Sequence, residues 1–75
     1  MKIKKIGVIG SGQLGAGIAQ ICSLKGFEIT ILDINKEALE NGRKRLEMNM
    51  ARDVEKGRIA DLERNEALAR ISWTT

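Results

Sequence analysis

Apolar residues along this chain fall into two alternating patterns. Residues 3–9, Ile-Lys-Lys-Ile-Gly-Val-Ile, form a short β-branched run that ends at Gly10. The adjacent apolar pair Val8-Ile9 predicts a strand buried on both faces, as in a parallel sheet. Leu14, Ile18, Ile21 and Cys22 then recur at helical spacing over residues 13–25, and Gly26 stands where a C-terminal cap glycine belongs. Residues 27–32, Phe-Glu-Ile-Thr-Ile-Leu, predict a second strand with Asp33 directly after it. Asn35 suits the N-cap of a long helix reaching about Lys56, along which Leu39, Leu46, Met50 and Val54 make one apolar stripe. Gly42 weakens that helix by ~1 kcal/mol relative to alanine without breaking it. Gly57 ends it, a shorter helix covers roughly 61–69, and Ile71-Ser72-Trp73 opens another strand.

The order strand, helix, strand, helix, helix, strand predicts an α/β fold with a parallel sheet and right-handed crossovers. Three strands, the last a stub, leave an apolar sheet edge uncovered. We therefore expect residues 1–75 to be the N-terminal piece of a longer protein, truncated at the third strand. Alone, the piece should self-associate or remain incompletely ordered.

Composition narrows the chemistry. An apolar share of 43% and a charged share of 31% fit a globular chain rather than a disordered one. One cysteine excludes an internal disulfide and fits a reducing compartment. With no histidine and no second cysteine, the chain offers little to zinc and cannot build a histidine-based catalytic dyad. No apolar run approaches the ~20 residues of a membrane span. The opening Met1-Lys2-Ile3-Lys4-Lys5 lacks the long apolar core of a signal peptide, so Met1 reads as the true start of a cytoplasmic protein.

Net charge is +3, and it is concentrated. Residues 43–58 hold six cations (Arg43, Lys44, Arg45, Arg52, Lys56, Arg58) against three acids, while the flanks cancel. The block is either a solvated helix face or a site for a phosphorylated ligand. Nucleic acid is disfavoured, because only Phe27 and Trp73 could stack on bases. Cys22, Met48, Met50 and Trp73 read as packing residues.

The sharpest signal is Gly10-Ser11-Gly12-Gln13-Leu14-Gly15, between a predicted strand and a predicted helix. An acid, Asp33, closes the next strand eighteen residues after Gly15. Gly10 permits the turn out of the strand, Gly12 lets a pyrophosphate approach the backbone, and Gly15 allows close helix packing. Amides at the helix start, including those of Gln13 and Leu14, point at the phosphates. Ser11 offers its hydroxyl or N–H to phosphate, or else is a solvent-facing turn serine. Asp33 suits both adenosine ribose hydroxyls and repels a 2′-phosphate, which predicts NAD over NADP. Its alternative role is a turn or helix-cap aspartate.

Residues 8–20, Val-Ile-Gly-Ser-Gly-Gln-Leu-Gly-Ala-Gly-Ile-Ala-Gln, resemble the N-terminal signature of 3-hydroxyacyl-CoA dehydrogenases, the short-chain 3-hydroxybutyryl-CoA enzymes above all. Asp33 with Lys36-Glu37-Ala38-Leu39, the segment Val54-Glu55-Lys56-Gly57-Arg58-Ile59, and Ala67-Leu68-Ala69-Arg70-Ile71 extend the resemblance over the chain. It implies a Rossmann-type NAD-binding domain, with a helical pair at 36–69 inserted after the second strand to contact coenzyme A. It implies NAD-dependent interconversion of 3-hydroxyacyl-CoA and 3-oxoacyl-CoA by a full-length enzyme, expected to be a homodimer. Lys56 falls on the family's CoA-contacting lysine. Asn49 stands where the family usually has a serine that also contacts CoA, and its amide can still hydrogen-bond. The alternative role for Lys56 is a cation at the helix end. The family's catalytic histidine and glutamate lie on later parts of the fold, so we expect no catalytic residue and no dehydrogenase activity in residues 1–75 alone. Two other readings share the glycine motif: another NAD-dependent β-hydroxyacid or sugar-nucleotide dehydrogenase, and a non-enzymatic NAD-sensing module. The long basic helical insert disfavours the former, and a sensor should lack an acyl-CoA site.

Overall fold

The computed structural model describes residues 4–75, so Ile3 of the predicted opening strand lies outside the described residues. Three strands, β1 (Lys5–Ile9), β2 (Glu28–Leu32) and β3 (Ile71–Thr74), form a parallel sheet in the order β1-β2-β3. Helix α1 (Gln13–Leu24) joins β1 to β2, while α2 (Lys36–Glu55) and α3 (Asp61–Ala69) join β2 to β3. Parallel neighbours need such crossovers, because a tight hairpin cannot reverse the chain twice. The α/β architecture and its element order are those the hydrophobic pattern predicts.

Helix boundaries follow local chemistry. Asn35 Oδ1 accepts the Ala38 amide at 2.8 Å and starts α2. Gly26 and Gly57, both with positive φ, follow α1 and α2. Glu63 Oε1 accepts the Ala60 amide at 2.9 Å and caps the start of α3. Arg70 Nη1 donates to the Ser23 carbonyl at 2.7 Å, satisfying one of the open carbonyls at the end of α1.

The helices share one face of the sheet. Register pairs Ile6 with Ile29 and Ile29 with Ile71, and it pairs Val8 with Ile31 and Ile31 with Trp73. These two rows meet Leu39, Leu46, Met50, Ala16, Ala19 and Ala67 in the core. Complete burial of Ile29, Ile31, Leu46 and Met50 stabilises the fold by roughly 1.5–3 kcal/mol per side chain.

Three expectations are corrected here. First, β1 is covered on one face only: Val8 is buried, whereas Ile9, on the opposite face, is 87% exposed. Second, α1 does not bury its large apolar stripe. Leu14, Ile18 and Ile21 are exposed, and the helix meets the sheet through Ala16, Ala19 and Ser23. Small side chains prevail at the start of α1, where Gly15 closes on the Gly10 carbonyl. Cys22 is half-buried against the core. Third, Met50 fills the core, but Met48 faces solvent two residues away on α2.

Candidate nucleotide-binding site

Chemistry-bearing residues gather where β1 and β2 end. Gly10 leaves β1 with φ of 96°, a left-handed conformation that glycine adopts without steric cost. Its amide donates to the Leu32 carbonyl at 2.7 Å and ties the turn to β2. A Cβ on Gly15 would overlap the Gly10 carbonyl oxygen and lie 3.4 Å from Val8 Cγ1. Helix α1 therefore starts closer to the turn than any side chain permits.

Gly12 is the N-cap of α1, and a Cβ there would meet no atom within 4 Å. No side chain caps the helix and no acid occupies its first turn. The amides of Gln13 and Leu14 thus form an open, partly positive helix end beside a glycine that borders free space. That combination fits a diphosphate. The side chains of Gln13 and Leu14 are exposed.

Asp33 stands at the end of β2, its own amide bonded to the Thr74 carbonyl at 3.1 Å. Its Oδ2 accepts the Ser11 hydroxyl at 2.5 Å and the Ser11 amide at 2.7 Å. Its Oδ1 accepts the Ile34 amide at 2.7 Å. The Ser11 hydroxyl first, and then the Ile34 and Ser11 amides, hold the carboxyl below the ordinary aspartate range. Asp33 is thus a carboxylate at neutral pH, with one oxygen turned into the protein and acceptor capacity left on the other. Beside it opens a cavity of about 340 Å³ lined by Ile9, Gly10, Leu32, Asp33, Ile34 and Thr75. Apolar side chains around one carboxylate suit a base and its ribose.

Ser11 departs from the expectation of a solvent-facing turn serine. It is 2% exposed, and its Oγ lies 2.5 Å from Asp33 Oδ2 and 2.8 Å from the Ala38 carbonyl. A Cβ on Gly42 would collide with the Ser11 carbonyl oxygen and Cβ. Gly42 is therefore the point where α2 seats on the glycine loop, a role that sequence reasoning missed. A glycine inside a helix was the available signal.

Asn49 and Lys56 are not brought to this site. Both lie toward the far end of α2, whose twenty residues span about 30 Å. Their spacing of seven residues places them on one helix face. Asn49 is half-buried and Lys56 exposed. Gln20 and Arg58 brace this end: Gln20 Nε2 donates to Asp53 Oδ2 at 2.8 Å, and Arg58 Nη1 to Asp53 Oδ1 at 3.2 Å. A groove of about 530 Å³ runs along α2 beside Trp73. Its charges are mixed, with Arg43 3.6 Å from Glu47, so it presents no concentrated cation cluster. Among the described residues no group of three or more histidine, cysteine or acidic side chains could hold a metal, and no helix is long and apolar enough to cross a membrane.

Residues 5–75 match the family described as 3-hydroxyacyl-CoA dehydrogenase, NAD binding domain. The chain belongs to this family. It is 47% identical over 72 residues to the probable 3-hydroxybutyryl-CoA dehydrogenase of Bacillus subtilis, which covers 96% of the chain and 25% of that protein. It is 41% identical over 69 residues to the 3-hydroxybutyryl-CoA dehydrogenase of Bradyrhizobium diazoefficiens, covering 92% of the chain and 24% of that protein. The crystal structure of (S)-3-hydroxybutyryl-CoA dehydrogenase from Ralstonia eutropha superposes with a TM-score of 0.94 at 31% identity, covering 99% of this chain and 26% of that one. The chain thus spans about a quarter of the length of these relatives. Membership in a 3-hydroxyacyl-CoA dehydrogenase NAD-binding domain makes NAD the cofactor and the sheet part of a Rossmann-type fold.

Proposed function

We propose that this chain is the dinucleotide-holding portion of an enzyme that interconverts 3-hydroxyacyl-CoA and 3-oxoacyl-CoA. The observation carrying it is the junction of an uncapped α1 N-terminus, an open Gly12 and an ionised Asp33 at the ends of two adjacent parallel strands. The amides of Gln13 and Leu14 bind the diphosphate, Gly12 keeps a side chain out of its path, and Gly10 and Gly15 shape the turn and the helix start behind it. Asp33 accepts hydrogen bonds from the adenosine ribose. Bound NAD supplies the hydride acceptor for the hydroxyl carbon, or the donor in reverse. Lys56 attracts a phosphate of CoA as a point charge, and Asn49 hydrogen-bonds the same molecule. CoA is extended, which suits contacts far along α2 from Asp33. Without a histidine, these residues bind and orient but carry no histidine acid–base step. A reducing, cytoplasmic setting accords with the single free cysteine.

Titration of the chain with NADH, read by the fluorescence of the nicotinamide, tests this reading. Saturable binding that CoA does not displace is expected, with separate saturable binding of CoA. Absence of NADH binding by the folded chain refutes it. Consumption of NADH with acetoacetyl-CoA by the chain alone would overturn the assignment of the chemistry to residues elsewhere.

A further inference from the structure

A ribose-binding carboxylate works best when its orientation is set before the ligand arrives, since otherwise binding must freeze the side chain. The surroundings of Asp33 show how this chain could set it. Ser11 sits inside the glycine loop, 2% exposed, and approaches Asp33 Oδ2 through both its amide and its hydroxyl. The same hydroxyl oxygen lies 2.8 Å from the Ala38 carbonyl in the first turn of α2. One turn further on, Gly42 packs against Ser11 so tightly that a Cβ would overlap it. One buried side chain therefore meets the loop, the ribose acid and the second helix.

We infer that Ser11 is a positioning residue that presents Asp33 to the ribose, and that Gly42 holds Ser11 in place by admitting α2 against the loop. The inference rests on the ribose role proposed for Asp33. A hydroxyl has one proton to donate, and the ionised carboxylate is the stronger acceptor of the two oxygens it faces. Its donation, with that of the Ser11 amide, occupies Oδ2. The remaining capacity on Oδ1, itself steered by the Ile34 amide, is left for the ligand. Ser11 touches no part of the dinucleotide through its side chain in this arrangement; it acts through Asp33.

Calorimetry with two ligands separates this role from simple packing: ADP, which carries both ribose hydroxyls, and 2′,3′-dideoxy-ADP, which carries neither. The wild-type chain should favour ADP by about tenfold, the size of one charge-assisted hydrogen bond. In Ser11→Ala that preference should fall to about threefold or less, with dideoxy-ADP affinity unchanged. Gly42→Ala, which displaces Ser11 without removing it, should lower the preference in the same direction. Full preference in folded Ser11→Ala would overturn the positioning role. No preference in the wild type would refute the ribose reading of Asp33 itself, and the positioning role with it. Should Ser11→Ala fail to fold, a carbon-13 titration of the Asp33 carboxyl in the wild type decides. An acid held by Ser11 titrates below the ordinary aspartate range, and an ordinary value overturns the inference.

Discussion

The amide and the hydroxyl of Ser11 converge on one oxygen of Asp33, at 2.7 and 2.5 Å, across twenty-two residues of chain. Both contacts favour the ionised acid, so the folded-state value of Asp33 lies below its unfolded one. A depressed carboxyl stabilises the fold above its unfolded value, near 3.9, and that stability is lost as pH falls through the lower folded value. Urea midpoints measured from about pH 6 downward should therefore fall less steeply on the acid limb in Asp33→Asn than in the wild type. Parallel acid limbs would show that Ser11 does not favour the charged form.

Reversing the charge at the proposed ribose contact should change cofactor preference. Asp33→Arg replaces a group that repels a 2′-phosphate with one that pairs with it. NADH affinity should fall about tenfold or more, and NADPH should bind at least as well as NADH. Comparative fluorescence titration reads both, and an unchanged preference for NADH would remove Asp33 from the site.

Gly15→Ala places a methyl against the Gly10 carbonyl, a backbone atom that cannot swing aside. Overpacking of this kind costs about 1–3 kcal/mol. Melting should drop by about 4–8 °C for each of those kcal/mol in a domain of this size. Gly12→Ala, where a Cβ meets nothing, should leave melting nearly unchanged and weaken NADH binding instead. Equal melting losses in the two variants would contradict the different roles assigned to them.

For the proposed CoA contacts, Lys56→Ala should weaken CoA binding by about tenfold and Asn49→Ala by a few-fold, while NADH binding is retained in both. Their distance from Asp33 along α2 supports this separation. If Lys56 serves only as a helix-end cation, stability falls by about 0.3–1 kcal/mol and CoA affinity stays put.

An apolar stripe of Leu14, Ile18 and Ile21 faces outward on α1, and among the described residues no helix covers one face of the sheet. Surfaces of this kind drive association. Sedimentation equilibrium should show apparent mass rising with concentration, and Ile18→Lys with Ile21→Lys should reduce the rise. A concentration-independent monomer mass for the wild type would refute this.

Element order, the Asn35 cap and the α2 stripe through Leu39, Leu46 and Met50 could all be read along the chain. Each depends on neighbours within a turn or two residues, which sequence spacing records directly. The glycine loop and its acid were equally visible, because a turn, an uncapped helix start and a strand end are local features. Which face of α1 is buried was not visible. Periodicity marks the largest apolar side chains, but the close approach of Gly15 to the Gly10 carbonyl seats the start of α1 on small residues such as Ala16 and Ala19. The sequence by itself determined the α/β order and the glycine-rich turn with an acid at the end of the next strand. Only the tertiary structure decided that Ser11 turns inward to Asp33 and that Gly42 seats α2 upon it. Those contacts join residues more than twenty positions apart through distances that spacing along a chain does not encode.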